Sequence, residues 1–483
     1  MRLSDIYFLM PLLILVGASI INMLVVAVKR NHKIIFGITI VAHLFAVLSL
    51  GQLRGSTYPI PPLFIMDGWS IFNLGLILLT SLFVTLLSYA YFEQREERKE
   101  EYYLLLLLAT LGACVLVISQ HFMALFLGLE ILSVALYGLI AYLRTRELSD
   151  EAGIKYLILA AMSSAFLLFG MALIYAVTGT MAFTGLATYL RTVQELPLLL
   201  LTGFGLMVVG IGFKLGIVPF HMWAPDVYEG APAPVTAFIA TVSKGGMMGL
   251  LIRFFTQTDG YRYPTFILIF TVIAIASMLA GNLLALRQKN IKRLLAYSSI
   301  AHLGYILVAF LAGNRLGVEA VSFYLVAYFI TSMGAFGVVA LLSDTERDAD
   351  ELEDYRGLFW RRPATAAIFT AMLLSLAGIP LTAGFVGKFY ILASGVNTHQ
   401  WLLVIMLVLN SVIGLYYYIK VIAAMFAQTE AGPERRKVLH PALSFASGAT
   451  MAMLALLLIW IGVYPTPLVF LIRRLLVTFM TTF

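Results

Sequence analysis

The sequence predicts an all-α polytopic membrane protein, and three observations carry that prediction. Hydrophobic residues fill 61% of the 483 positions and charged residues only 12%, about half the charged share of a soluble globular chain. The apolar residues fall in runs of about 20, the length a helix needs to cross the hydrocarbon core. No ten-residue alternation marks a barrel, and a backbone in lipid must satisfy its own hydrogen bonds, so the runs are helices. A soluble enzyme, a disordered chain and a disulfide scaffold are excluded.

About fourteen spans follow in chain order. The first seven cover 6–28, 34–51, 69–91, 102–119, 122–143, 153–177 and 197–218. The other seven cover 233–255, 264–286, 291–312, 318–343, 364–393, 399–428 and 442–464. The first is long enough to span and ends in Lys29 and Arg30 without a small-residue cleavage site, so it reads as a span rather than a cleaved signal. After Tyr464 only 19 residues remain, including Arg473 and Arg474, which suits an interfacial segment.

The basic residues orient these spans. Of 32 Lys and Arg, 19 fall after spans 1, 3, 5, 9, 11 and 13, in clusters such as Lys29, Arg30 and Lys33, or Arg287, Lys289, Lys292 and Arg293. Arg95, Arg98, Lys99, Arg144, Arg146 and the group Arg435, Arg436 and Lys437 belong to the same side. The opposite side holds eight: Arg2, Arg54, Arg191, Arg253, Arg262, Arg315, Arg473 and Arg474. The positive-inside rule puts the richer side in the cytoplasm and both termini outside. The net charge of +7 is therefore a topology signal and not a nucleic-acid footprint.

Redox and metal chemistry find little support. Cys114 is the single cysteine, which excludes an intrachain disulfide and an iron–sulfur cage. The seven histidines, at 32, 43, 121, 221, 302, 399 and 440, show no ligand spacing. Neither a phosphate loop nor a dinucleotide fingerprint is present.

Five lysines remain inside spans: Lys155, Lys214, Lys244, Lys388 and Lys420. Glu130 is the acidic residue deep in a span. A charge at mid-bilayer costs about 2.5–3.5 kcal/mol on insertion scales, so such residues pair or line a hydrated path. Lysine suits proton chemistry, because burial lets it be neutral or charged near neutral pH, whereas arginine keeps its proton. Glu130, Lys214, Lys244 and Lys388 are read as functional. Lys155, third in its span, and Lys420, eight residues from the inner end of its span, have snorkelling as the alternative. His302 is central in span 10 and reads either as a relay or as a satisfied core histidine.

Spans 7 and 12 are interrupted. Span 7 carries Gly210, Gly212, Gly216 and the following Pro219; span 12 carries Gly378, Pro380, Gly384 and Gly387. Such breaks survive at depth only inside protein or beside water. They lie five spans apart, an odd offset that inverts orientation, so spans 4–8 and 9–13 are expected to form an inverted repeat of two five-helix units. The organisation expected is 1–101 for the first three helices, 102–255 and 264–428 for the repeats, and 429–483 for helix 14 and the end. One half offers Glu130, Lys214 and Lys244, the other His302, Lys388 and Lys420.

Three stretches resemble one family. Residues 213–235 (FKLGIVPFHMWAPDVYEGAPAPV), 290–305 (NIKRLLAYSSIAHLGY) and 374–390 (LSLAGIPLTAGFVGKFY) resemble the subunit N family of bacterial NADH:quinone oxidoreductase, respiratory complex I. The resemblance covers nearly the whole chain and is weaker in the first three helices. It implies an antiporter-like subunit of the inner membrane with no cofactor of its own. NADH, FMN, iron–sulfur clusters and quinone would belong to partner subunits, and small helical subunits, sister antiporter-like subunits and lipid would surround it. It also implies proton-translocating roles for Glu130, Lys155, Lys214, Lys244, His302 and Lys388. At Lys420 the family pattern allows arginine, which points to a basic group rather than proton release. A cation/proton antiporter subunit is the alternative, and a structural spacer whose lysines merely pair is a third reading.

Overall fold

A computed structural model describes residues 3–53, 57–93, 95, 98–193, 195–428 and 441–480. Of the basic residues sorted above, Arg2, Arg54, Arg435, Arg436 and Lys437 lie outside them.

After a short helix at Leu3–Phe8 come α1 (Met10–Val28) and α2 (His32–Leu50), whose tight connection is capped where the Asn31 side chain accepts from the Ile34 amide. An antiparallel hairpin of β1 (Tyr58–Ile60) and β2 (Phe64–Met66) precedes α3 (Gly68–Glu93). The next helices are α4 (Glu100–Ile118), α5 (Phe122–Ile140) and α6 (Glu147–Thr178). Helix α7 is in two pieces, Leu198–Leu215 and Trp223–Gly230. Then come α8 (Ala233–Gln257), α9 (Pro264–Ala285), α10 (Ile291–Leu311) and α11 (Arg315–Leu342). Helix α12 is also divided, into Pro363–Ala377 and Ala383–Asn397. The chain continues through α13 (Trp401–Phe426), α14 (Pro441–Val463) and α15 (Thr466–Met480).

Twelve helices among the described residues are long and apolar enough to cross a membrane, and thirteen if the α14–α15 pair is one span. The sequence gives about fourteen runs because it counts both pieces of α12 as one, whereas each piece alone is too short. Helix α15 leaves α14 at 84° and packs against α3 and α11, in the place where an interfacial segment is expected.

Apolar composition alone does not separate lipid-facing from central helices. Burial does. The apolar stretches of α8 and α10 are enclosed on all sides, while α1, α2 and α6 are only one-third buried. The two enclosed helices carry Lys244 and His302, so the protein's centre is also its most polar axis.

The loops sorted together by charge meet in space. Asp348, between α11 and α12, accepts from Lys292 on α10 at 2.8 Å and from Arg146 between α5 and α6 at 3.1 Å. Arg95, just past α3, lies 3.8 Å away. One assignment is corrected. Arg253, counted with the outer-side residues and not among those inside spans, lies in α8 with no exposed surface and makes a two-pronged pair with Asp67 at 2.8 Å for each contact. Its partner is 186 positions away, and pairing is what allows a guanidinium to be buried there.

Candidate functional site

The site is built on the breaks in α7 and α12. Both helices end their first piece alike. Gly216 takes a left-handed φ of 71°, with its amide on the Gly212 and Phe213 carbonyls and the Ile217 amide on Gly212. Gly378 takes φ 85°, with its amide on the Leu374 and Ser375 carbonyls and the Ile379 amide on Leu374. This is the glycine-ended cap of an α-helix made twice, and a side chain at either glycine would be strained. The α7 break is tied to α9 by the Val218 amide donating to Ser277 Oγ at 3.0 Å.

Lys214 sits in the last turn before the first break and is 2% exposed. Its Nζ donates to Ser133 Oγ on α5 and to Tyr156 OH on α6, both at 2.8 Å. Glu130, on α5, is half-buried and accepts from Ser164 Oγ at 2.6 Å.

Lys244 follows a π-helical turn over Ile239–Ser243, an irregularity common at functional sites. Its Nζ donates to Ser299 Oγ on α10 at 2.6 Å and lies 5.4 Å from the centre of the Tyr228 ring. A Cβ on Gly216 would stand 3.6 Å from that nitrogen, so the amine is pressed against the α7 break. Ser299 Oγ also accepts from Tyr328 OH at 2.6 Å.

His302 lies one turn beyond Ser299 on α10. Its Nδ1 meets Tyr324 OH at 2.5 Å and its Nε2 meets Tyr418 OH at 3.1 Å. Ser298 Oγ in turn bonds Tyr418 OH. The Tyr328 ring centre is 5.5 Å from the imidazole and the Tyr305 centre 5.4 Å. The same Tyr305 ring lies 5.1 Å from Lys388 Nζ, and Tyr328 OH shares Ser299 Oγ with Lys244.

Lys388 comes from the second piece of α12 and reaches back to the first. Its Nζ donates to the carbonyls of Leu376 and Ala377 at 2.9 and 3.0 Å and lies 5.1 Å from the Tyr305 ring centre. These are terminal carbonyls of a helix, where a cation is favoured.

Among the described residues no carboxylate forms an ion pair with Lys214, Lys244 or Lys388. Lys214 and Lys244 are satisfied by hydroxyls. A hydroxyl both donates and accepts, so those partners can follow a proton on or off the nitrogen. Together with His302 they form a row of exchangeable groups across the enclosed helices.

The structure brings Glu130, Lys214, Lys244, His302 and Lys388 to this axis, but not the other two lysines. Lys155 has 44% of its side chain exposed and pairs with Glu151 at 2.6 Å and Asp226 at 2.8 Å. Helix α6 has 32 residues, roughly 48 Å of helix at 1.5 Å per residue, longer than a hydrocarbon core of about 30 Å. Lys420 is half-buried on α13, and Tyr417 and Tyr418 of that helix face the axis instead. Sequence reasoning missed the hydroxyl groups, Ser133, Tyr156, Tyr228, Ser299, Tyr324, Tyr328 and Tyr418. The only advance signals are Ser298 and Ser299 beside His302 and the four-residue spacing of Tyr324 and Tyr328.

At the cytoplasm-assigned face, Asp226 and Glu229 of the second α7 piece accept from Arg293 Nη1 at 2.8 and 2.7 Å. Burial raises the Asp348 carboxyl, but Lys292 and Arg146 outweigh it and hold the group well below the ordinary carboxylate range.

A membrane bundle with broken helices and buried lysines defines an antiporter-like membrane subunit, and the comparisons agree. Residues 119–414 match the family model described as NADH:quinone oxidoreductase/Mrp antiporter, transmembrane. The chain belongs to this family, and within it to the NADH-quinone oxidoreductase subunit N group. It is 50% identical to a subunit of that name from Nitrosospira multiformis, over 96% of this chain and 95% of that one. It is 46% identical to one from Methylococcus capsulatus, over 95% and 93%. A chain of respiratory complex I from Thermus thermophilus superposes with a TM-score of 0.81 at 32% identity, covering 95% of this chain and 98% of that one. The expected resemblance is thereby confirmed over nearly the whole length.

Proposed function

We propose that this chain is a proton-translocating membrane-arm subunit of an NADH:quinone oxidoreductase, set in a bacterial cytoplasmic membrane with both termini outside. The observation that carries the reading is the row Lys214, Lys244, Ser299, His302 and Lys388, whose middle members stand on the enclosed helices α8 and α10. A proton enters from the cytoplasm toward Lys214 and Lys244. It passes by Ser299, Tyr328 and His302 and leaves by Lys388, with Glu130 tuning Lys214 from α5. The matching glycine caps of α7 and α12 support an inverted repeat of α4–α8 (102–255) and α9–α13 (264–428). The first three helices (1–101) and the end of the chain (429–483) flank it.

Moving one charge against 100 mV costs about 2.3 kcal/mol. The free energy comes from quinone reduction in partner subunits, which hold the NADH, FMN, iron–sulfur and quinone sites. Small helical subunits and sister antiporter-like subunits are the neighbours through which Glu130 receives its signal. Lys155 lies at the cytoplasmic mouth, and Lys420 supplies a basic group beside α13.

The test is Lys214→Ala and Glu130→Ala in the assembled complex. Pumping is expected to fall while assembly persists, and normal pumping in Lys214→Ala overturns the proposal. The cation/proton antiporter reading is favoured only by the family's breadth. Sodium-dependent proton exchange by the chain in cells lacking NADH dehydrogenase would select it.

A further inference from the structure

The second piece of α7, Trp223–Gly230, has an outer face made of charges and an inner face that touches Lys244. On the outer face Asp226 accepts from Lys155 at 2.8 Å and from Arg293 at 2.8 Å, and Glu229 accepts from Arg293 at 2.7 Å and from Asn290 at 3.1 Å. Lys292 Nζ donates to the carbonyls of Glu229 and Ala231, each at 2.7 Å, and so caps the end of the same piece. Lys155 belongs to α6, and Lys292 and Arg293 to the first turn of α10.

The inner face, between those two carboxylates in sequence, is Tyr228. It is wholly buried, its ring lies 5.4 Å from Lys244 Nζ, and its hydroxyl is 3.4 Å from Ser299 Oγ, the same oxygen that accepts from Lys244. The piece is joined to the rest of α7 through the break at residues 216–222 and by Trp223 Nε1 donating to the Phe213 carbonyl at 2.8 Å. Two turns of helix do not hold their own position; burial of Trp223, Val227 and Tyr228 seats the inner face, and the ion pairs hold the outer face that faces away from it.

We propose that Arg293, with Asp226, Glu229 and Lys292, is a positioning clamp that sets Tyr228 against Lys244 and thereby controls proton transfer between Lys244 and Ser299. Residues that the charge count reads as topology signals are thus assigned to the proton path. Because Lys292 and Arg293 stand on the helix that carries Ser299 and His302, the clamp fixes the α7 piece to the next element of the row. Over the outer face lies an open cavity of about 100 Å³ bordered by Glu151, Lys155, Asp226, Glu229 and Arg293, which gives water access to the clamp.

This inference rests on the proposed proton-translocating role. The test is a double-mutant cycle in the intact complex in sealed membrane vesicles, with pumping rate normalised to assembled complex. Arg293→Gln and Tyr228→Leu are each expected to slow pumping by roughly three- to tenfold, and the double variant to be no slower than Tyr228→Leu alone, as for residues acting through one contact. Arg293→Lys should restore most of the rate, because a single nitrogen, Nη1, makes both carboxylate contacts. Full pumping in Arg293→Gln, or losses that multiply in the double variant, would overturn the clamp. Where Arg293→Gln does not assemble, Asp226→Asn takes its place in the same cycle, leaving the Arg293–Glu229 pair intact, and is read by the same outcomes. Lys214→Ala is measured alongside. If it pumps normally the proposed function fails, whereas impaired Lys214→Ala with multiplying clamp losses removes only the clamp.

Discussion

Lys244 and Lys388 hold their amines on unlike partners: Lys244 on the Ser299 hydroxyl at 2.6 Å, Lys388 on the Leu376 and Ala377 carbonyls at 2.9 and 3.0 Å. A carbonyl accepts and never donates. A neutral amine still has two N–H groups, so the Lys388 contacts survive in either charge state, while the end of the helix favours the charged one. A hydroxyl can instead reverse its role when the proton moves. In the proposed path Lys244 is therefore the member suited to pass a proton along the row, and Lys388 the member suited to hold one at a defined place.

Replacing Lys388 separates its charge from its chemistry. Lys388→Arg keeps a cation near the two carbonyls but does not release its proton. It is expected to assemble at wild-type levels and to lose pumping. Lys388→Met is expected to lose pumping and also to weaken α12, because the carbonyls lose their partner. Native gels give assembly and dye quenching in vesicles gives pumping; a pumping Lys388→Arg complex would show that proton release at this position is not needed.

The relay role proposed for Ser299 is tested by its alanine and threonine variants. Ser299→Ala removes the oxygen that both Lys244 and Tyr328 use. Pumping is expected to slow by about tenfold, less than the loss of a positioned acid–base group. Ser299→Thr keeps the oxygen and should recover most of the rate, measured as proton flux per assembled complex. Equal rates for alanine and threonine would remove the hydroxyl from the path.

Buried charge on α8 makes a stability prediction independent of the path. Arg253 donates to Asp67, to Ser70 Oγ at 2.8 Å and to the Val117 carbonyl at 2.9 Å, and the Phe479 ring of α15 lies 5.7 Å from its guanidinium carbon. Asp67→Asn leaves that guanidinium without a counter-charge, which costs about 3–5 kcal/mol. Asp67→Asn is expected to lower the thermal midpoint sharply. Arg253→Met together with Asp67→Asn should recover part of the loss, since no buried charge remains; a double variant less stable than the single would refute this account.

The sequence makes some of this legible for physical reasons. Glycine and proline in an apolar run have few uses, so the breaks at Gly216 and Gly378 stand out. Lysine and histidine at depth are expensive, so Lys214, Lys244, His302 and Lys388 stand out as well. Lys155 stays open between two readings in the sequence because a hydropathy run does not show how far a helix end reaches; its exposed pairs with Glu151 and Asp226 appear only after folding. Arg253 misleads because its partner, Asp67, is distant in sequence and close only after folding. The hydroxyls of Ser299, Tyr324 and Tyr418 carry no net charge and cost little in a helix, so nothing in the composition sets them apart from ordinary packing residues.

Asp348 gives a pH prediction whose sign follows from its surroundings. It accepts from Tyr91 OH at 2.6 Å, from Lys292 at 2.8 Å and from Arg146 at 3.1 Å, with Lys292 only 1% exposed. Burial works against the ionised carboxyl, but the two cations prevail and its folded pKa is well below the ordinary value. A carboxyl depressed in the folded state stabilises at pH above its unfolded pKa, about 3.9, and the contribution fades as pH falls toward the lower folded value. Asp348→Asn leaves buried cations uncompensated, an expected cost of about 3–5 kcal/mol. The gap in thermal midpoint between wild type and Asp348→Asn should be constant above about pH 5 and shrink below about pH 4. A gap that stays the same down to pH 3 would mean that Asp348 is not the charge that closes this face.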